Sequence, residues 1–438
     1  MEMTLAPFYE QTKMVMLGLM FFFFIFSFIK EKYLPFCYLV ILSFMPGTLF
    51  DFLAKIRFEL LFFFCSVFVL LIKNKLPTLL NNNSINKKLQ LFFIVMFISV
   101  FQAVNITFSW DYFYSQGIPQ ILFFILIISF ITDVQDIRPF LYCYLIVMIW
   151  HAYLPVFNYI TGTTSFGHER IGTGGVYHHV GEVISGHVGL ANTMTQSLPV
   201  AFYLFFYEKR LIFKIICLFS LILFTVAIFA SGSRGGVLGL FICGALFFAL
   251  SKKKMISATF GIVLIVVFLG LNPHYLSWYS SILDGSAADV SASSRIAGLK
   301  HGIEMCIRRP ILGVGIGCFS YARSSWFGWN IWAHNHYGEL IGELGLLGVF
   351  TWFGFIVSCF KEIKRMKQII KEKVDINPIY KTILDMCWVL LVLRLVLGMT
   401  THSLLSFIWY FVAGILVVTA LNIGQCENHF QQSNNDNQ

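Results

Sequence analysis

Apolar residues in this chain come in long blocks rather than in a helix or strand period. Apolar runs lie near 14–29, 35–50, 59–72, 89–105, 116–132, 139–158, 189–206, 213–231, 236–250, 256–271, 338–360, 383–399 and 403–421. Runs of this length suit helices crossing a ~30 Å hydrocarbon layer. The pattern predicts an all-α polytopic membrane protein with about 12–13 transmembrane helices. Polar connections carry the basic residues: Lys73, Lys75, Lys87 and Lys88; Lys209, Arg210 and Lys214; Lys252, Lys253 and Lys254; and a dense group from Lys361 to Lys373. Placing all four groups in the cytoplasm gives a consistent alternation from residue 73 onward. The first 60 residues fit either thirteen spans or twelve with the early runs short or re-entrant. The first run, Met14 to Ile29, lacks a basic leader and a small-residue cleavage site, and reads as a retained helix.

Composition sharpens this picture. The chain is 58% hydrophobic and only 12% charged, with 49 Phe, which excludes an ordinary soluble domain. The net charge of +9 reflects basic loops at a membrane and not a nucleic-acid partner. Ten cysteines are scattered without C-x-x-C spacing and read as small core residues. Cys306 and Cys318 share one loop and are the pair that could bridge.

Three connections fall on the extracytoplasmic side. The first, 159–188, holds His168, Glu169, Arg170, His178, His179, Glu182 and His187. The second is the turn SGSRGG with Arg234, and the third is the long loop 272–337. The long loop is net basic, with Arg295, Lys300, Arg308, Arg309 and Arg323 against Asp284, Asp289 and Glu304. Translocated loops tend to avoid such charge, so an anionic ligand or lipid headgroups are expected there. Within it, Ile296, Leu299, Ile303 and Ile307 repeat at helical spacing, predicting an amphipathic surface helix over Ser294 to Arg309, stopped by Pro310. The following GVGIG lacks the third glycine and the strand–helix setting of a nucleotide loop.

Candidate chemistry gathers between His334 and Gly348, in AHNHYGELIGELGLLG. His334 precedes an apolar helix, whose positive end favours a neutral imidazole able to take a proton from a sugar hydroxyl. The plainer reading is an interfacial histidine bonded to backbone, and His336 has a weaker claim still. Glu339 and Glu343 share a helix face, and Gly338, Gly342, Gly345 and Gly348 allow close helix approach. Arg234, flanked by glycines at a helix start, suits a phosphate, and Arg295 suits a second one. The alternatives are a snorkelling arginine and a solvated loop charge. Arg394 lies inside an apolar run and needs an acid, for which Glu343 is the expected partner; His402 lies just beyond. The histidines from 168 to 187 lack H-E-x-x-H spacing and GVGIG is no nucleotide loop, so neither metal nor nucleotide cofactor is expected.

His334-Asn335, nine residues, Gly345, two residues, Gly348 resembles the H-N-x9-G-x2-G signature of the O-antigen ligase family, a superfamily shared with O-antigen and capsule polymerases and protein O-oligosaccharyltransferases. SRGG around Arg234, and SSRIAGLKHGIEMCIRRPILGVGIGCF with Pro310, Gly313 and Gly315, are similar to further family segments. The resemblance runs from about residue 185 to 355. It implies a GT-C-like, metal-independent glycosyltransferase of the bacterial inner membrane with a periplasmic site. The donor would be an undecaprenyl-diphosphate-linked glycan and the acceptor a sugar hydroxyl of lipid A–core, or of another lipid-linked repeat if the chain is a polymerase. Carried over, His334 would assist the acceptor hydroxyl and Arg234 and Arg295 would hold the diphosphate, with Asn335, Glu339, Arg394 and His402 in support. The expected organisation is N-terminal helices over 1–158, a ligase- or polymerase-type core over 159–421 that includes loop 272–337, and a disordered tail over 422–438. A lipid-linked sugar transporter is the competing class. It calls for midplane charges and repeat symmetry; here the charges sit mostly at one boundary and no repeat is visible.

Overall fold

The computed structural model describes residues 17–44 and 53–75 apart from scattered positions, then 82–160, 186–250, 254–255, 261, 288–372, 377–401 and 404–436. Among them every regular element is helical. We number the principal helices α1 Leu34–Phe44, α2 Phe58–Ile72, α3 Ser84–Phe101, α4 Ile106–Phe130, α5 Val134–Ile160, α6 Gly186–Tyr207, α7 Leu211–Ala230, α8 Arg234–Leu250, α9 Ala288–Arg308, α10 Phe319–Phe327, α11 His336–Glu372, α12 Pro378–Leu397 and α13 Phe407–Asp436. Six described helices are long and apolar enough to cross a bilayer: α3, α4, most of α5, α7, α11 and the first part of α13. The chain is an all-α polytopic membrane protein. Its outward face is correspondingly greasy, with Phe64, Phe68, Ile212 and Phe350 all exposed.

Local chemistry sets the helix ends. Asn83, Asn105 and Asn377 each turn a side-chain oxygen onto a free N–H of the helix that follows, at 2.9, 3.0 and 3.1 Å. Pro378 stands at the first position of α12, where no N–H is needed. A π-turn at Phe113–Gly117 interrupts α4 just before Pro119, which cannot donate to the preceding turn. Helix α13 continues to Asp436, although the polar stretch from Gln425 reads as a disordered tail; a helix once nucleated propagates through polar residues with little further cost.

The core is built by α3, α11 and α13 on one flank and by α5, α6, α7, α8 and α12 on the other. Helix α9 does not join this bundle as a span. It runs Ala288–Arg308, close to the expected surface helix, and leaves Ile296, Ile303 and Ile307 exposed. Its small face lies on α11: a methyl group at Gly302 would meet Gly338 O at 2.2 Å, and one at Gly342 would meet the Gly302 Cα at 3.1 Å. The glycines of α11 thus do admit a close neighbour, and it is the surface helix.

Helix α11 is broken at Gly345, where φ is 59° and ψ is −158°, a region open essentially to glycine alone. The break frees two pairs of backbone groups, and the loop 310–315 takes them up reciprocally. Leu346 N donates to Pro310 O at 2.8 Å while Gly342 O accepts from Val314 N at 2.9 Å. Leu347 N donates to Ile311 O at 3.2 Å while Glu343 O accepts from Gly315 N at 2.9 Å. Each interrupted helical bond is replaced by two bonds to the loop, so none of these four groups is left open. The far side of the loop is held by the N-terminal helices, through Ile316 N to Ser99 Oγ at 3.2 Å and Ser109 Oγ to Ile316 O at 2.7 Å. GVGIG is therefore a packing loop.

Candidate active site

The site forms where α8, α9, α11 and the turn after α12 meet. Helix α7 ends at Ala230, Gly232 turns with φ of 64°, and Ser233 caps α8 through its Oγ, which accepts from Gly236 N at 3.3 Å. Arg234 is then the first residue of α8 and is half-buried. Its neighbour Gly235 packs on Thr400, whose Oγ1 lies 3.1 Å from where a methyl group would sit. From the other side, Arg295 Nε points at Thr400 O at 3.4 Å. One residue of the turn 398–401 thus adjoins both arginine-bearing helices.

The same turn anchors the start of α11. His336 N donates to Gly398 O at 2.7 Å, and Tyr337 OH donates to Leu395 O at 2.7 Å. Asn335 is the helix cap: its Oδ1 accepts from Tyr337 N at 3.0 Å and from Gly338 N at 3.2 Å. His334, just outside, takes a left-handed backbone with φ of 47°, unfavourable for any residue with a Cβ. A methyl group at Gly298 of α9 would strike Ala333 O at 2.0 Å, so α9 lies hard against the segment that delivers His334.

Charge links these groups. Burial, and then the adjacent Arg234 guanidinium, lower the proton affinity of Arg295. Burial, then Arg295 and Arg323, hold the His334 imidazole below its ordinary range. The neutral state expected of His334 therefore has a cause different from the helix end: burial and two guanidiniums. Arg234 thus acts on Arg295, and Arg295 on His334.

The remaining candidates divide. Glu339 is buried, and its Oε2 accepts from Leu404 N at 3.3 Å. Arg394 is buried inside α12, packed over the Trp409 ring at 5.6 Å. Its acid is not Glu343: the charge that acts on it is that of Glu339. Glu343 instead turns both carboxylate oxygens onto backbone, accepting from Gly317 N at 2.8 Å and Phe319 N at 3.1 Å. The start of α10 supplies those free N–H groups, a stronger local claim on a carboxylate than a distant guanidinium. His402 lies outside the described residues, as do His168, Glu169, Arg170, His178, His179 and Glu182. Among the described residues no three His, Cys, Asp or Glu side chains gather as a metal site. Cys306 and Cys318 are free thiols; Cys318 Sγ points instead at Asn105 O, 3.4 Å away.

Sequence reasoning missed Thr400 and Arg323. Thr400 has no signal beyond its place after an apolar run. Arg323 was one basic residue among five in the long loop, and only its burial sets it apart.

Residues 219–353 match the family model of the O-antigen ligase. The chain carries an O-antigen ligase domain over these residues. The match takes in Arg234, Arg295, Arg323 and His334, and closes within α11 beyond the break at Gly345. The turn 398–401 falls after it. The match supports a glycosyltransferase domain of ligase or polymerase type, with lipid-linked glycans as the class of substrate. No curated protein matches the chain.

Proposed function

We propose that the chain transfers a glycan from undecaprenyl diphosphate to a sugar hydroxyl of lipid A–core, on the periplasmic side of the inner membrane. The core of the enzyme would be residues 159–421, with 1–158 as supporting helices. One observation carries this reading: Gly235, next to Arg234, and Arg295 both meet Thr400, and the Arg295 charge acts on His334. Two guanidiniums suit the two phosphates of a lipid diphosphate. A neutral imidazole beside them can accept the proton of an attacking hydroxyl. As the sugar–phosphate bond breaks, negative charge builds on the leaving diphosphate, where the guanidiniums stabilise it without reorganising. The basic residues Lys361 to Lys371 lie at the other end of α11 from His334, which supports a periplasmic site by the positive-inside rule.

Deleting the gene and resolving lipopolysaccharide on a gel tests the assignment. Bare core with long lipid-linked polymer accumulating is the ligase result. Core bearing a single repeat overturns ligation in favour of polymerisation, and an unchanged ladder overturns both.

A further inference from the structure

Arg323 on α10 is 0% exposed, and its partners among the described residues are all neutral. Its Nε donates to Nδ1 of His301 at 2.9 Å, which places the His301 proton on Nε2. Its Nη1 donates to the carbonyls of Ile331 and Trp332 at 3.2 and 2.9 Å, and the Trp329 ring lies over the guanidinium at 5.1 Å. Its Nη2 has no partner among the described residues. A buried guanidinium without a counter-ion is costly, and an apolar side chain of similar volume would fill the space at less cost. Stability alone does not explain its presence.

What it holds does. The carbonyls it clasps lie two and three residues before His334, whose left-handed backbone persists only if both sides of it are fixed. The following side is fixed by the Asn335 cap and the His336 N bond to Gly398 O. The preceding side has the contact of Gly298 with Ala333, and the clasp. His301 braces the guanidinium in turn, stacked on Phe327 at 4.2 Å. We propose that Arg323, braced by His301, is a positioning residue for His334: by gripping the Ile331 and Trp332 carbonyls it fixes the strained turn on which the imidazole is presented. This rests on reading His334 as the group that receives the acceptor proton.

Among the described residues, Arg295 of α9 and Arg323 of α10 lower the proton affinity of His334, and Arg234 of α8 acts on Arg295. On α11 the nearest acid in sequence, Glu339, is turned to Leu404 N. Arg323 would therefore bear on both the placement and the protonation of His334, and a residue that only held the fold would leave the protonation unmoved.

The test uses the full chain in lipid nanodiscs, with Arg323→Lys, Arg323→Met and His301→Ala. Two readouts are taken. One is kcat and KM with an undecaprenyl-diphosphate-linked glycan donor. The other is the pH profile of His334 carbethoxylation by diethyl pyrocarbonate, read by peptide mass spectrometry. In Arg323→Met, kcat should fall about 10–100-fold with donor KM changed less than about twofold, as for a displaced reacting group. Its labelling midpoint should move up. Arg323→Lys should lose kcat similarly, because one ammonium cannot replace the fork, while its labelling midpoint stays near that of the unmodified chain. His301→Ala should give a smaller loss in kcat. A folded Arg323 variant with unchanged kcat and labelling profile overturns the proposal, and so does a change confined to KM. If neither Arg323 variant folds, unchanged kcat and profile in His301→Ala overturn it. His334→Ala run alongside separates the two ideas: retained transfer removes the base reading, whereas the labelling profile still reports on the clasp.

Discussion

Gly345→Ala should be among the most damaging single-methyl additions in the chain. Alanine at φ of 59° and ψ of −158° costs ~1–3 kcal/mol in backbone strain alone. The added methyl would also sit 2.7 Å from both Gly313 N and Pro310 O, backbone atoms that cannot rotate away. Relief requires the loop 310–315 to withdraw, which puts at risk the four bonds exchanged with Gly342, Glu343, Leu346 and Leu347. At ~1 kcal/mol net for each bond, losing all four brings the combined penalty to ~5–7 kcal/mol. Gly354→Ala in the same helix is the control, since its methyl would meet only Lys88 Cδ at 3.8 Å. That change should stabilise by ~0.5–1 kcal/mol through helix propensity. The assay is thermal unfolding of both purified variants in one detergent, followed by tryptophan fluorescence. If Gly345→Ala melts with the unmodified chain, the glycine-only break and the loop exchange built on it are wrong.

Four further outcomes follow from the site. His334→Ala should abolish glycan transfer at unchanged membrane abundance by immunoblot; full activity would remove His334 from the reaction. Because burial and the guanidiniums lower its proton affinity, His334 stays neutral below the ordinary imidazole value of 6.5, so the acid limb of kcat/KM should fall below that pH and Arg295→Gln should move it up. Reversing charge with Arg234→Glu or Arg295→Glu should weaken donor binding at least tenfold, as measured by titration with labelled lipid diphosphate; unchanged affinity would favour arginines serving lipid headgroups. Purified protein held in chelator should keep its transfer rate, and a loss restored by zinc would show that a metal takes part.

The membrane class was legible because burial in lipid writes itself into composition: apolar runs and basic loops need no tertiary information. The extent of α9 was nearly as legible, since Ile296, Ile303 and Ile307 mark one face whatever lies opposite. Its partner was not, because glycine carries no label for what approaches it. Gly338 and Gly342 announce closeness, and only the fold says that Gly298 and Gly302 supply it. The pairing of Arg394 with Glu343 failed for a related reason. Charge in an apolar run signals the need for a partner but not its identity, and Glu343 was claimed by the N–H groups of Gly317 and Phe319. Arg323 resembled any other loop cation, because burial of a charged side chain inside a polar segment leaves no trace in hydropathy.

One field serves two ends in this arrangement. Arg234 and Arg295 repel each other, and among the described residues Arg295 and Arg323 have no carboxylate beside them. Holding Arg295 beside a like charge is unfavourable, and the binding of an anion there would return what the fold gives up. The same positive field keeps His334 neutral but also makes it a poor base, since it holds a proton weakly. A bound diphosphate would offset the guanidiniums and raise the proton affinity of His334. The imidazole would then become an effective base only once the donor is in place, and by linkage its protonation would in turn tighten the hold on the diphosphate. Proton removal from the acceptor and departure of the diphosphate would be coupled through charge alone, with no movement of the helices required. On this reading the left-handed turn at His334 matters as much as the arginines, because the coupling works only while the imidazole is kept within their field.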